Sequence, residues 1–146
     1  MAIDPKDKHL QWLRIFLLAS TISTAIHYTD NYVFVADYPQ PDWITLPSIY
    51  ISWIVLTGIG ILGYWLYQQE KFWLAYSCLS IYSLTGLSSV AHYFYGSMSQ
   101  FSVKMHFFIW TDWLTGFSVL GFTLWSVFLA KAWRRKSNAD MTTKQN

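Results

Sequence analysis

A chain of 146 residues that is 53% hydrophobic, 20% aromatic and only 12% charged carries about half the charge of an ordinary soluble domain. Its formal net charge of +2 is too small to suggest nucleic acid, and its basic residues sit at the ends of the apolar segments, where they act as topology signals. The composition predicts an all-α integral membrane protein, and the single Cys78 excludes an intrachain disulfide framework.

Residues 1–11 are polar and mixed in charge, with Pro5 set against a helix, and read as a short cytoplasmic tail. A first span is expected over residues 12–28. A secretory signal cleaved after Ala25 competes with it, because basic residues, a short apolar run and Ser23-Thr24-Ala25 also fit that pattern. Against cleavage, Ser20, Ser23, Thr24 and His27 recur at helical spacing as one small-polar stripe that a retained bundle helix turns inward. Residues 31–45 read as an outer loop, because Asp37, Pro39, Pro41 and Asp42 interrupt regular hydrogen bonding.

Pro47, with Thr45 as cap, opens a second span over residues 46–67. Within it Gly58-Ile59-Gly60-Ile61-Leu62-Gly63 spells G-x-G-x-x-G, but without the strand-turn-helix setting of a dinucleotide site, so the glycines imply close helix packing. A turn at 68–71 leads to a third span over 72–95, and a second turn to a fourth over 103–130. Residues 131–146 form a basic tail. Each span is long enough, at 1.5 Å per residue, to cross most of a hydrocarbon core of about 30 Å. The expected architecture is an antiparallel four-helix bundle in the bilayer.

Nine of the ten basic residues (Lys6, Lys8, Arg14, Lys71, Lys131, Arg134, Arg135, Lys136 and Lys144) fall on one side of this layout, and Lys104 alone on the other. The positive-inside rule then puts both termini in the cytoplasm and the acidic loop outside. Trp12, Trp65 and Trp133 at the inner ends, and Trp43, Tyr93, Tyr95 and Phe101 at the outer ends, fit interfacial belts.

In that topology His27, His92 and His106 come from three helices to nearly one depth on the extracytoplasmic side, and Asp30 lies one turn beyond His27. Neutral imidazoles and a carboxylate suit Zn, Cu or non-haem Fe, and Met98 and Met105 offer softer donors. Two of the histidines alternatively ligate haem b. Asp112 sits about 9 Å deeper than His106 by helical rise, with Thr111 and Thr115 as candidate hydrogen-bond partners. A carboxylate at that depth marks a proton acceptor, a substrate anchor or a fixed helix contact.

Three functions follow. The leading expectation is a metal ion or haem bound by His27, His92 and His106 with Asp30 assisting. The second is an enzyme acting on a lipid or isoprenoid, of isomerase or hydrolase type, with Asp112 and a histidine as acid and base. In it the aromatic runs 91–95 and 106–110 line a cavity for an apolar small molecule. The third is an accessory subunit that presents its aromatic faces to a membrane-protein partner.

Overall fold

The computed structural model describes residues 5–133, with side chains from Asp7 onward. Four α-helices account for most of this span: α1 (Pro5–Val33), α2 (Leu46–Gln68), α3 (Phe72–Leu87) and α4 (Val103–Phe128). Short 3-10 helices occupy Val35–Asp37, Ser88–Phe94 and Met98–Gln100, and no strand occurs among the described residues. Three helical stretches, Leu46–Gln68, Phe72–Phe94 and Val103–Phe128, are long and apolar enough to cross a membrane.

The helix starts obey local chemistry. Thr45 caps α2, its backbone N–H donating to the Ser48 hydroxyl at 2.9 Å, and Pro47 sits in the first turn where its missing N–H has no partner to lose. Ser102 caps α4 by accepting from the Met105 N–H at 3.3 Å. By the same logic α1 begins at Pro5 rather than at Trp12, since proline's fixed φ suits a first helical position. It also continues past Asp30 and Asn31, so the expected loop starts later, and Ala25 lies within the unbroken helix.

The helices pack as a ring, each on the next, with α4 closing back on α1. Directions follow from paired residues. Asp30 of α1 meets Lys104 at the start of α4, and His9 meets Trp125 near its end. Tyr50 and Trp53 near the start of α2 bond Thr29 and Thr24 near the end of α1, so neighbours run antiparallel.

Two glycine contacts draw the helices close. A Cβ on Gly60 would lie 2.7 Å from the Tyr82 ring, and one on Gly63 would lie 3.1 Å from Leu79, whereas Gly58 faces open space. Two of the three glycines of the G-x-G-x-x-G run, Gly60 and Gly63, therefore serve the α2–α3 contact, and Gly58 does not. Gly86 and Gly116 do the same for α3 and α4.

The polarity of α1 is inverted relative to a water-soluble helix. Ser20, Thr24, His27 and Asn31 are buried, while Ile15, Leu18, Ile22 and Ile26 are exposed. The expected inward small-polar stripe is thus observed. Among the aromatics expected at the ends, Trp12, Trp43, Trp65 and Tyr95 are exposed, but Phe101 is buried against Tyr93. Arg134, Arg135, Lys136 and Lys144 lie outside the described residues.

Candidate functional site: a buried Asp112–His27 pair beside an apolar cavity

Ser23 and His27 are four residues apart on α1 and therefore share one face. Both reach Asp112 of α4, which is fully buried. The Ser23 hydroxyl donates to Asp112 Oδ1 at 2.5 Å. His27 Nδ1 lies 2.7 Å from Asp112 Oδ2, so its N–H donates to the carboxylate. In a neutral imidazole whose Nδ1 carries the proton, Nε2 is the acceptor nitrogen. That nitrogen is buried without a hydrogen-bond partner among the described residues.

The carboxylate's partners differ from those expected. Thr111 donates back to the Phe107 carbonyl and Thr115 to the Asp112 carbonyl, because a helical hydroxyl readily bonds the preceding turn. Asp112 therefore draws both of its side-chain donors from α1.

His27 is part of the lining of a partly open cavity of about 370 Å3 formed by the end of α1, loop residues 40–44, the first half of α2 and the stretch from Thr85 to Tyr95. The size falls within the range of small-molecule sites, roughly 300–1,000 Å3. Ile44, Ile49, Leu56, Pro41, Trp43 and Ala91 make much of the wall apolar. Its place follows from the packing. The α2–α3 glycine contact grips the part of the bundle near Gly60 and Gly63, and beyond it α3 changes to a 3-10 helix at Ser88. Of the aromatic runs expected to line a cavity, His92 and Tyr95 do so, whereas the 106–110 run contributes nothing to its wall.

Four of the six buried side-chain polar atoms lacking a hydrogen-bond partner among the described residues belong to residues that line this cavity: His27 Nε2, Asn31 Oδ1, Gln40 Oε1 and Thr85 Oγ1. Buried polar groups are overwhelmingly satisfied in folded proteins, by protein groups, ordered water or a ligand, so these four atoms make the cavity the candidate site.

The loop that follows α1 folds over the end of the bundle. Its Tyr38 is buried, with ring centroids 5.7 Å from His27 and 5.3 Å from His92. The Tyr38 hydroxyl donates to Asp30 Oδ2 at 2.7 Å. Burial, followed by that bond to Asp30, pushes the Tyr38 phenol far above its usual pKa. Pro39 contributes a carbonyl that accepts from His92 Nδ1 at 2.9 Å.

The expected metal set does not assemble. His27 and His92 do come together, with ring centroids 5.6 Å apart. Asp30 is turned away into the Lys104 ammonium and Tyr38, because the inward position after His27 falls on Asn31, four residues on, rather than on Asp30. His106 bonds the Tyr93 hydroxyl at 2.7 Å and packs on Phe101. Met105 is buried with Tyr38 and Ile109, and Met98 is exposed. Among the described residues no three His, Cys, Asp or Glu side chains are grouped to hold a metal ion. Two imidazoles, one already committed to a carboxylate, fit neither the three-donor zinc site nor the carboxylate-assisted site read from the sequence.

No site role was expected for Tyr38, Asn31, Gln40 or Thr85, and Ser23 was expected only in the inward polar stripe. Helical spacing from His27 points to Ser23 and Asn31; no local signal points to the loop residues. Comparison with family models, curated proteins and solved structures finds no match. The chemistry of the site therefore rests on its own geometry.

Proposed function

We propose that this chain is a four-span membrane enzyme of acid–base type that acts on an apolar substrate held in the cavity. His27 Nε2 serves as general base, and Asp112 fixes its tautomer and stabilises the imidazolium formed when it takes a proton. The observation that carries the reading is the pairing of a buried Asp112–His27 bond with an unpartnered Nε2 on a residue that lines an apolar cavity. This is the division of labour by which a carboxylate orients a histidine base in hydrolases. Proton abstraction from the substrate would give an isomerase, and activation of water a hydrolase.

The polarity of α1 supports the fourth span: its exposed side is aliphatic, and its polar residues are turned into the bundle. With the basic residues assigned to the cytoplasmic side, both termini are cytoplasmic and the cavity lies toward the extracytoplasmic side. Metal or haem binding is the weaker reading, because Asp30 and His106 are engaged elsewhere.

The test uses purified protein in lipid nanodiscs, incubated with a total lipid extract in deuterium oxide and, separately, in oxygen-18 water. Mass spectrometry then follows label entering any apolar species. Deuterium in a species of unchanged formula supports an isomerase, and heavy oxygen supports a hydrolase, provided that Asp112→Asn abolishes the transfer. Equal labelling by the wild type and the folded variant overturns the reading.

A further inference from the structure

Charge is distributed unevenly along the bundle. The half that carries the α2–α3 turn and both chain ends holds nine of the ten lysines and arginines against Asp4, Asp7, Glu70 and Asp140, whereas the other half sets Lys104 against Asp30, Asp37 and Asp42. Lys104 is moreover committed, its ammonium bonding Asp30 at 2.7 Å. An anionic partner is therefore drawn to the first half.

Two exposed lysines there are held beside tryptophans. α4 stops at Phe128, Lys131 takes a left-handed backbone with φ 46°, and the chain turns so that Ala132 is buried and Trp133 packs on Trp73 at the start of α3, with ring centroids 5.5 Å apart. The Trp133 indole N–H donates to the Val127 carbonyl at 3.2 Å, which pins the turn to the helix it ends. Residues 131–133 thereby lie beside residues 71–73. Lys71, in the tight turn between α2 and α3, holds its ammonium 5.7 Å from the Trp65 ring centroid. Neither Lys71 nor Lys131 has a carboxylate partner among the described residues.

Depth supplies the second argument. Tryptophan rings at a membrane surface settle at the level of the lipid headgroups. Trp65 and Trp73 are 49% and 61% exposed, so in a bilayer they mark that level, and an ammonium held against them stands where lipid phosphates lie. The run Lys131, Arg134, Arg135 and Lys136, directly after a helix long enough to span, is also the sequence pattern of an anionic-lipid contact.

We propose that the α2–α3 turn and the end of α4 bind the headgroup phosphate of an anionic phospholipid, with Lys71 and Lys131 as its cations and the exposed faces of Trp65 and Trp73 against the glycerol and upper acyl chain. The site lies at the opposite end of the bundle from the cavity. It is independent of the acid–base reading and requires only that the bundle sits in a bilayer.

Purified protein in detergent micelles is titrated with dioleoyl phosphatidylglycerol and, separately, with dioleoyl phosphatidylcholine, and dissociation constants are read by native mass spectrometry. The anionic lipid is expected to bind at least about tenfold more tightly, from two cations contributing about fivefold each. Lys71→Gln combined with Lys131→Gln should remove most of that preference, and Lys104→Gln should leave it intact. Equal binding of the two lipids, a preference that survives the double variant, or one lost only on changing Arg134, Arg135 and Lys136 to Gln overturns the site. Displacement of the lipid by an equal concentration of glycerol 3-phosphate shows a free-phosphate site and overturns the lipid assignment. A measurement on the wild type needs no variant to fold: acetylation by acetic anhydride, read by peptide mass spectrometry, should slow at Lys71 and Lys131 relative to Lys8 when phosphatidylglycerol replaces phosphatidylcholine in nanodiscs. Equal slowing at all three lysines overturns the proposal.

Discussion

Gly86 and Gly116 face each other where α3 crosses α4: a Cβ on Gly116 would stand 3.1 Å from the Gly86 Cα and 2.8 Å from the Ser83 carbonyl oxygen. A Cβ on Gly86 would run into the Asp112 carbonyl oxygen. The crossing thus sets the position of the residue that holds His27. Gly116→Ala is expected to destabilise the fold by about 1–3 kcal/mol through overpacking, and to lower the rate of label transfer by shifting Asp112. Gly58→Ala meets no neighbour and is expected to be neutral or to stabilise by up to about 1 kcal/mol through helix propensity. Thermal unfolding in detergent compares the two; equal melting temperatures would remove the packing argument.

Asp112→Asn keeps the shape of the side chain but turns a donor toward His27. An amide N–H beside Nδ1 makes that nitrogen the acceptor, so the ring proton moves to Nε2 and the base is lost. Activity is expected to fall on the order of 10⁴-fold, as when the orienting aspartate of a catalytic histidine is made an amide. Nitrogen NMR of histidine-labelled protein reads the tautomer directly. A His27 that keeps its proton on Nδ1 in the variant would contradict this account.

Tyr38 holds the loop down by its bond to Asp30. Its phenol is neutral when protonated, and its folded pKa is raised by burial and by Asp30. The stabilising contribution is therefore fully present below the unfolded value of about 10. It fades as pH rises through the folded value, where the unfolded chain has already released its proton. The wild type should lose stability with pH above about 10 more steeply than Tyr38→Phe. Parallel stability curves for the two proteins would show that the phenol does not couple to folding.

His106 and His92 separate the expected site from the observed one. His106→Ala removes a ring bonded to Tyr93 and should leave label transfer unchanged, whereas His92→Ala frees the Pro39 carbonyl and loosens the loop over the cavity. Metal analysis of protein purified without chelators should find less than one equivalent of zinc, copper or iron. A full equivalent that disappears in His106→Ala would restore the four-donor site.

Lys104 bonds Asp30 at 2.7 Å, but its side chain is 45% exposed. Solvent screening limits such a pair to about 0–1 kcal/mol. Lys104→Met should therefore shift the melting temperature little, and a large loss would show that the pair is shielded in the native membrane.

Much of the candidate site was legible in part. Helical spacing identified the inward stripe of Ser20, Ser23, Thr24 and His27, and Asp112 stood out as a deep carboxylate that must face protein. Their pairing was not legible, since an α4 residue can meet any of three other helices and only the helix crossings choose among them. Depth alone grouped His106 with His27 and His92. Rotation about α4 then sent its ring to Tyr93, an angle that depth does not contain.

Amino-acid order by itself determined the helical elements, the cap at Thr45 and the presence of three stretches apolar enough to cross a membrane, because periodicity, capping and hydropathy are properties of neighbouring residues. Only the tertiary structure decided that Ser23 and His27 close on Asp112, that Tyr38 packs against His27, and that four residues with unpartnered buried polar atoms line one cavity. Those relations join residues far apart in the chain, and they are set by how closely the Gly86 and Gly116 backbones approach and by where the loop comes to rest.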